Sequence, residues 1–163
     1  FNVASAINLI VAQRLVPRIC TSCAQKYVPD EAELGMAKVD AKMTLRELEF
    51  SDVALAEAKP RATKHAMPFA RNVTLDTQIG QLAFFKGVGC DSCQGTGYKG
   101  RQGLYETMNM TPRLRKMIMQ NAGATDIGKA AVSEGMLTLR MDGWLKVIKG
   151  ITTLEQVVRE TAI

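Results

Sequence analysis

Four cysteines in two matched pairs constrain this chain more than anything else in it. Cys20 and Cys23 stand in Cys20-Thr21-Ser22-Cys23, and Cys90 and Cys93 in Cys90-Asp91-Ser92-Cys93. Two residues between thiols let a tight turn aim both sulfurs at one point. Two such knuckles close a tetrahedral four-thiolate zinc site with Zn–S bonds of about 2.3 Å. The second pair has turn chemistry to match, with Gly87 and Gly89 before it and Gly95, Gly97 and Gly100 after it. Glycine permits positive φ and lets backbone N–H groups approach sulfur. Ala24 to Gly89 lie between the pairs, far more than a minimal zinc ribbon carries, so the insert must have structure of its own.

Three rival uses of the cysteines are weaker. A disulfide pair suits a secreted protein, and no charged n-region with a small-residue cleavage site follows Phe1. A redox pair needs only one C-x-x-C, in a βαβ context that the sequence lacks. Unpaired buried cysteines have no reason to fall at matched spacings. The expected site is Cys20, Cys23, Cys90 and Cys93 around one structural Zn²⁺, closed to water and therefore not catalytic.

The 163 residues suffice for one domain or two small modules, and 47% hydrophobic content supports a modest core. No apolar run approaches the roughly 20 residues of a membrane-spanning helix, so no membrane insertion is expected. The formal charge is +5, and four thiolates with one dication would take two charges off it. That is too little to point to nucleic acid.

The chain opens Phe1-Asn2-Val3, without an initiator Met, and runs into the apolar stretch Ala6 to Ala12. Residues 3–16 read as a buried helix ended by Pro17, in a chain expected to be a fragment of something larger. Pro29-Asp30 with Glu31 and Glu33 starts a helix that Gly35 stops. Thr44 and Glu47 have capping-box spacing. Residues 52–59 read as helical, and 59–65 as a basic linker. His65, the only histidine, reads as a solvated loop residue. Residues 81–88 predict a strand entering the second knuckle. Gly103 to Met110 predict one leaving it, with Leu104, Glu106, Met108 and Met110 on one face.

The last third reads as four short helices. Thr111-Pro112 caps the first, with Leu114, Met117 and Ile118 apolar and Asn121 and Gly123 ending it. Thr125 caps a second through Glu134, before Gly135. Thr138 caps a third, with Trp144, Leu145 and Ile148 inward, Gly143 a cost or a hinge, and Gly150 closing it. Thr153 and Gln156 have capping-box spacing for a fourth, with Leu154, Val157 and Val158 apolar. The methionines read as adaptable core filler.

Several of these strings resemble the secretion ATPases, the hexameric motors of type II secretion and type IV pilus assembly. They are Ala12-Gln13-Arg14-Leu15-Val16, Gly89-Cys90-Asp91-Ser92-Cys93 with Gly95 to Arg101, Gly103-Leu104-Tyr105-Glu106, Glu134 to Leu139 with Asp142-Gly143, and Gly150 to Glu155. The ending Val158-Arg159-Glu160-Thr161 is closer to the pilus extension branch. The resemblance covers 3–23 and 84–162 well and 24–83 poorly.

The resemblance implies an α+β, mostly α fold. A small zinc-ribbon-like antiparallel sheet with the tetracysteine site precedes a bundle of short helices, and the N-terminal helix is the remnant of a RecA-like ATPase domain. It divides the chain into the end of that domain (1–19), the tetracysteine module (20–103, with the insert 24–89) and a helical subdomain (104–163). It further implies a cytoplasmic homo-hexameric motor, peripheral to the inner membrane and working with a pilus platform protein there. ATP and Mg²⁺ belong to the full-length parent: the chain has no G-x-x-x-x-G-K-[ST] loop, so no catalytic or nucleotide-binding residue is assigned. Arg14 could reach nucleotide or a neighbouring subunit, and Arg101 and Arg140 could bridge subunits. A solvated or locally paired arginine is the plainer reading for each, with Glu106 and Asp91 as partners for Arg101.

Two readings of another class stand beside this. Cys90 to Gly97 matches the C-x-x-C-x-G-x-G unit of J-domain co-chaperones, a peptide-binding module, although the first knuckle lacks its glycines. A nucleic-acid-binding zinc ribbon would use the tract 59–71, which has Lys59, Arg61, Lys64 and Arg71 but only Phe69 as an aromatic.

Overall fold

The residues described in this computed structural model are 6–52, 55 and 73–161. Two long strands organise them. β1 (Leu9–Ile19) and β4 (Tyr98–Asn109) form an antiparallel ribbon, from Leu9 opposite Asn109 to Ile19 opposite Tyr98, with a register shift between Pro17 and Ile19. A second ribbon pairs β2 (Ala24–Tyr27) with β3 (Phe84–Gly87). The first knuckle joins β1 to β2 and the second joins β3 to β4, so both pairs of cysteines lie where the ribbons meet.

The helix expected over 3–16 is corrected: Leu9–Ile19 is strand. The segment is rich in Ile and Val, whose branched side chains fit a pleated surface. Pro17 ends nothing, because in a two-stranded ribbon each strand has an open edge where a missing N–H costs no ladder bond. The segment is not deeply buried either. Val16 is fully buried, while Leu9, Ile10, Val11 and Leu15 are each more than 40% exposed.

The strand over 81–88 shortens to Phe84–Gly87, after a single 3-10 turn at Ile79–Gln81. The strand from Gly103 extends back to Tyr98. Its named face is right: Leu104 and Met110 are buried, and Glu106 and Met108 are partly covered.

Five helices are described: α1 (Glu31–Met36), α2 (Pro112–Met119), α3 (Ala124–Ser133), α4 (Leu139–Ile148) and α5 (Leu154–Thr161). Their starts follow the capping chemistry. Asp30, Thr111 and Thr138 each accept a backbone N–H three residues on. Gly35 does not stop α1; the turn falls to Lys38, which takes φ 56. Thr125 does not cap α3, since Gly123 holds that place. Nor does a Thr153–Gln156 box form: the Thr153 hydroxyl faces Tyr98, and the buried Gln156 leaves its Oε1 without a partner among the described residues.

The insert is structured where it is described. Its segments 43–46 and 75–79 run side by side, through Leu45 N–H to Thr77 O, Arg46 N–H to Leu75 O and Ile79 N–H to Met43 O. Glu47 accepts the Thr44 N–H and hydroxyl, closing a turn and not a helix. The expected helix over 52–59, the basic tract 59–71 and His65 lie largely or wholly outside the described residues.

The main core joins the insert to the helices. Leu34, Leu45, Phe50, Leu75, Ile79, Leu82 and Phe84 pack with Trp144, Leu145, Leu154 and Val157. Tyr27, Phe84 and Trp144 stack edge to face, with centroids 6.3 and 6.4 Å apart. Burying each large apolar side chain contributes about 1.5–3 kcal/mol. A smaller core under α2 and α3 gathers Met108, Met110, Met117 and Met136 around Leu114, as expected of filler. Among the described residues no helix is long and apolar enough to cross a membrane.

Candidate metal centre

The two knuckles fold by the same local rule. Cys23 N–H donates to Cys20 O at 3.3 Å, and Cys93 N–H to Cys90 O at 3.2 Å. Each turn brings its two thiols onto one side. Cross-links then set one knuckle against the other: Cys20 N–H donates to Gly97 O at 2.9 Å and Val88 N–H to Cys23 O at 3.2 Å.

The glycines act as their positions suggest. Gly89, Gly95, Gly97 and Gly100 all have positive φ. The decisive pair is Gly87 and Gly97, whose backbones cross so closely that a Cβ on Gly87 would lie 2.0 Å from Gly97 O, and one on Gly97 would lie 2.5 Å from Gly87 O. Only two residues without side chains permit that crossing.

The result is convergence of all four sulfurs. Cys20 Sγ lies 3.9 Å from Cys90 Sγ, Cys23 Sγ 3.8 Å from Cys93 Sγ, and Cys90 Sγ 3.7 Å from Cys93 Sγ. All four sulfurs lie within 4.8 Å of one another, and none is in a disulfide. A regular tetrahedron of sulfurs at Zn–S bonds of about 2.3 Å has edges of about 3.8 Å. The spacing therefore fits a four-coordinate thiophilic dication.

The electrostatics fit as well. Burial pushes the Cys20, Cys23 and Cys93 thiols up, and backbone donors work against it. At Cys93 the N–H groups of Cys90 and Gly97 prevail and bring the thiol down to about 6. At Cys20 the Ser22 N–H and the neighbouring Cys90 and Cys23 thiols hold it below its ordinary value. At Cys23 burial and the other three sulfurs outweigh the Gly89 N–H, and the thiol rises to about 11. Burial first, and then the neighbouring sulfurs, make Cys23 resist ionisation, and a dication at the centre would remove that conflict.

The arginines go elsewhere. Arg140 reaches the carbonyls of Ala37 and Thr161, at 3.4 Å each, so it closes the ends of α1 and α5. Arg14 meets the neighbouring Gln13 O. Arg101 forms no ion pair among the described residues. Glu106, its expected partner, instead accepts the Leu139 N–H at 3.1 Å. Sequence reasoning missed Asp142, which accepts the Tyr105 N–H at 2.8 Å and pairs with Lys146 one helical turn on. The i, i+4 spacing was the available signal.

Among the described residues no phosphate-binding loop is formed. Gly123 to Lys129 has the spacing of a phosphate loop, but Ala130 follows where the loop needs a hydroxyl, and Ala124–Ser133 is helical.

Comparison with known proteins decides the family. A model described as type II/IV secretion system protein matches residues 1–159. The chain belongs to the type II/IV secretion system protein family. Within the family it is 34% identical over 162 residues to the type IV pilus assembly ATPase PilB of Pseudomonas aeruginosa, covering 99% of this chain and 22% of that protein. It is 33% identical over 161 residues to PilB of Thermus thermophilus (99% and 14%). It is 31% identical over 161 residues to the type II secretion system protein E of Xanthomonas campestris (99% and 22%). The chain thus spans about a fifth, or less, of the length of these relatives.

Proposed function

We propose that this chain is the non-catalytic, C-terminal portion of a hexameric ATPase that powers type IV pilus assembly. Its four cysteines hold a structural Zn²⁺ that fastens the insert and the helical unit together. The convergence of four sulfurs at tetrahedral spacing, in a member of this family, carries the reading. Pilus assembly is preferred to secretion because four relatives named for it match at 31–34% over 99% of this chain, against 28% and 31% for two named type II secretion system protein E. ATP and Mg²⁺ act in the full-length parent, where the remainder of the polypeptide supplies the phosphate cradle. This portion's work is mechanical. A rigid, metal-tied body offers one surface to neighbouring subunits and another to the inner-membrane platform protein, at the cytoplasmic face.

The test is genetic. Deleting the gene that encodes this chain abolishes surface pili and leaves type II secretion intact, and the intact gene restores pili. Pili that persist while secretion stops would move the protein to the secretion branch. Loss of neither would defeat the motor reading.

A further inference from the structure

Two adjacent threonines in the turn between α4 and α5 each hold a different strand of the metal-bearing ribbon. Thr152 is 1% exposed and Thr153 5%. The Thr152 hydroxyl donates to Pro17 O on β1 at 2.8 Å. Beside it, Ile151 O accepts the Ile19 N–H at 2.8 Å. Thr153 Oγ1 lies 3.1 Å from the Tyr98 hydroxyl on β4. These are the ends of β1 and β4 on the side of the metal centre. Ile19 directly precedes Cys20, and Tyr98 directly follows Gly97. Gly97 in turn accepts the Cys20 N–H and donates its own N–H to Cys93 Sγ at 3.3 Å.

The turn itself is anchored. Gly150, at φ 67, closes α4 by donating to Val147 O at 2.8 Å, and Ile151 N–H reaches Lys146 O at 2.9 Å. Val147 and Ile148 fix that helix end in the core. The two hydroxyls therefore transmit the position of a buried helix to those ends of β1 and β4.

We propose that Thr152 and Thr153 are positioning residues for the metal centre, gripping the adjoining ends of β1 and β4 from the helical unit and setting how tightly the four sulfurs hold Zn²⁺. The proposal rests on reading the cysteines as a zinc site. Groups one step beyond metal ligands commonly tune affinity about 10- to 100-fold, because they fix the ligands before the metal arrives. The coupling is also reciprocal: whatever stabilises the helical turn should slow metal loss, and metal should protect the turn.

The experiment follows zinc release from the zinc-loaded chain to excess 4-(2-pyridylazo)resorcinol, at a temperature where circular dichroism shows each variant folded. Thr152→Val and Thr153→Val should each release zinc about tenfold faster, and their Co²⁺-substituted forms should show shifted ligand-field bands. Thr152→Ser and Thr153→Ser keep the hydroxyls and should release at the wild-type rate. Tyr98→Phe should match Thr153→Val, and combining the two should add nothing. Folded valine variants releasing at the wild-type rate with unshifted bands would overturn the proposal. Should a valine variant fail to fold, Tyr98→Phe decides in the same way, by faster or unchanged release. A wild-type chain that takes up no zinc would defeat the zinc reading itself, whatever the variants do.

Discussion

Single residues carry the sharpest expectations. Gly97 is the point where one knuckle crosses the other, at φ +75 and with Gly87 O in the way of any Cβ. Gly97→Ala should cost at least about 1–3 kcal/mol, read as a lower denaturant midpoint, and should leave the chain short of metal. A wild-type midpoint with full metal content would contradict the crossing. Glu47 gives a pH test. The Thr44 N–H, then the Thr44 hydroxyl, hold its carboxyl below the ordinary 4.5. A depressed folded value means the contribution is complete above 4.5 and fades as pH falls through the lowered value. NMR titration of the Glu47 carboxyl carbon should show a midpoint below the ordinary one; a midpoint at 4.5 would show that the turn is open.

At the scale of elements, α4 and α5 lie close because Gly143 has no side chain. A Cβ there would meet Val157 Cγ1 at 2.4 Å. Gly143→Ala, which raises helix propensity, should nevertheless destabilise by about 1–3 kcal/mol through overpacking. A raised melting temperature would show that the helices can part without loss. Gly143 read from sequence as a cost or a hinge, since no local pattern reveals what packs against a glycine. Three helix starts were legible because caps act within three residues, as Asp30, Thr111 and Thr138 did, whereas the caps expected at Thr125 and Thr153 did not form. The fate of Leu9–Ile19 was not. A short apolar run has no period of its own, and only pairing with a segment ninety residues on makes it a strand. The convergence of the four cysteines was legible because each C-x-x-C turn aims its two sulfurs to one side whatever fold surrounds it. The threonine clamp was invisible, since it depends on which turn meets which strand.

Over the whole molecule, one core links insert and helices, and one cluster of sulfurs links the ribbons. Stability and metal content should therefore fall together. EDTA under mild denaturation should lower the melting temperature, and hydrogen exchange should rise at both knuckles and around Ile151 in the same step. Unchanged melting, or loosening of one knuckle alone, would mean that the two pairs do not share an ion. Deeply buried anchors such as Trp144 and Leu145 should keep their protection longest, because they sit in the main core.

The most direct measurement is zinc K-edge X-ray absorption, with elemental analysis, on reduced protein expressed in zinc-replete medium. The account predicts one zinc per chain bound by four sulfurs at about 2.3 Å, falling on Cys90→Ser to a site with fewer sulfurs or none. No zinc in the wild-type chain, or a first shell of nitrogen and oxygen, would contradict it.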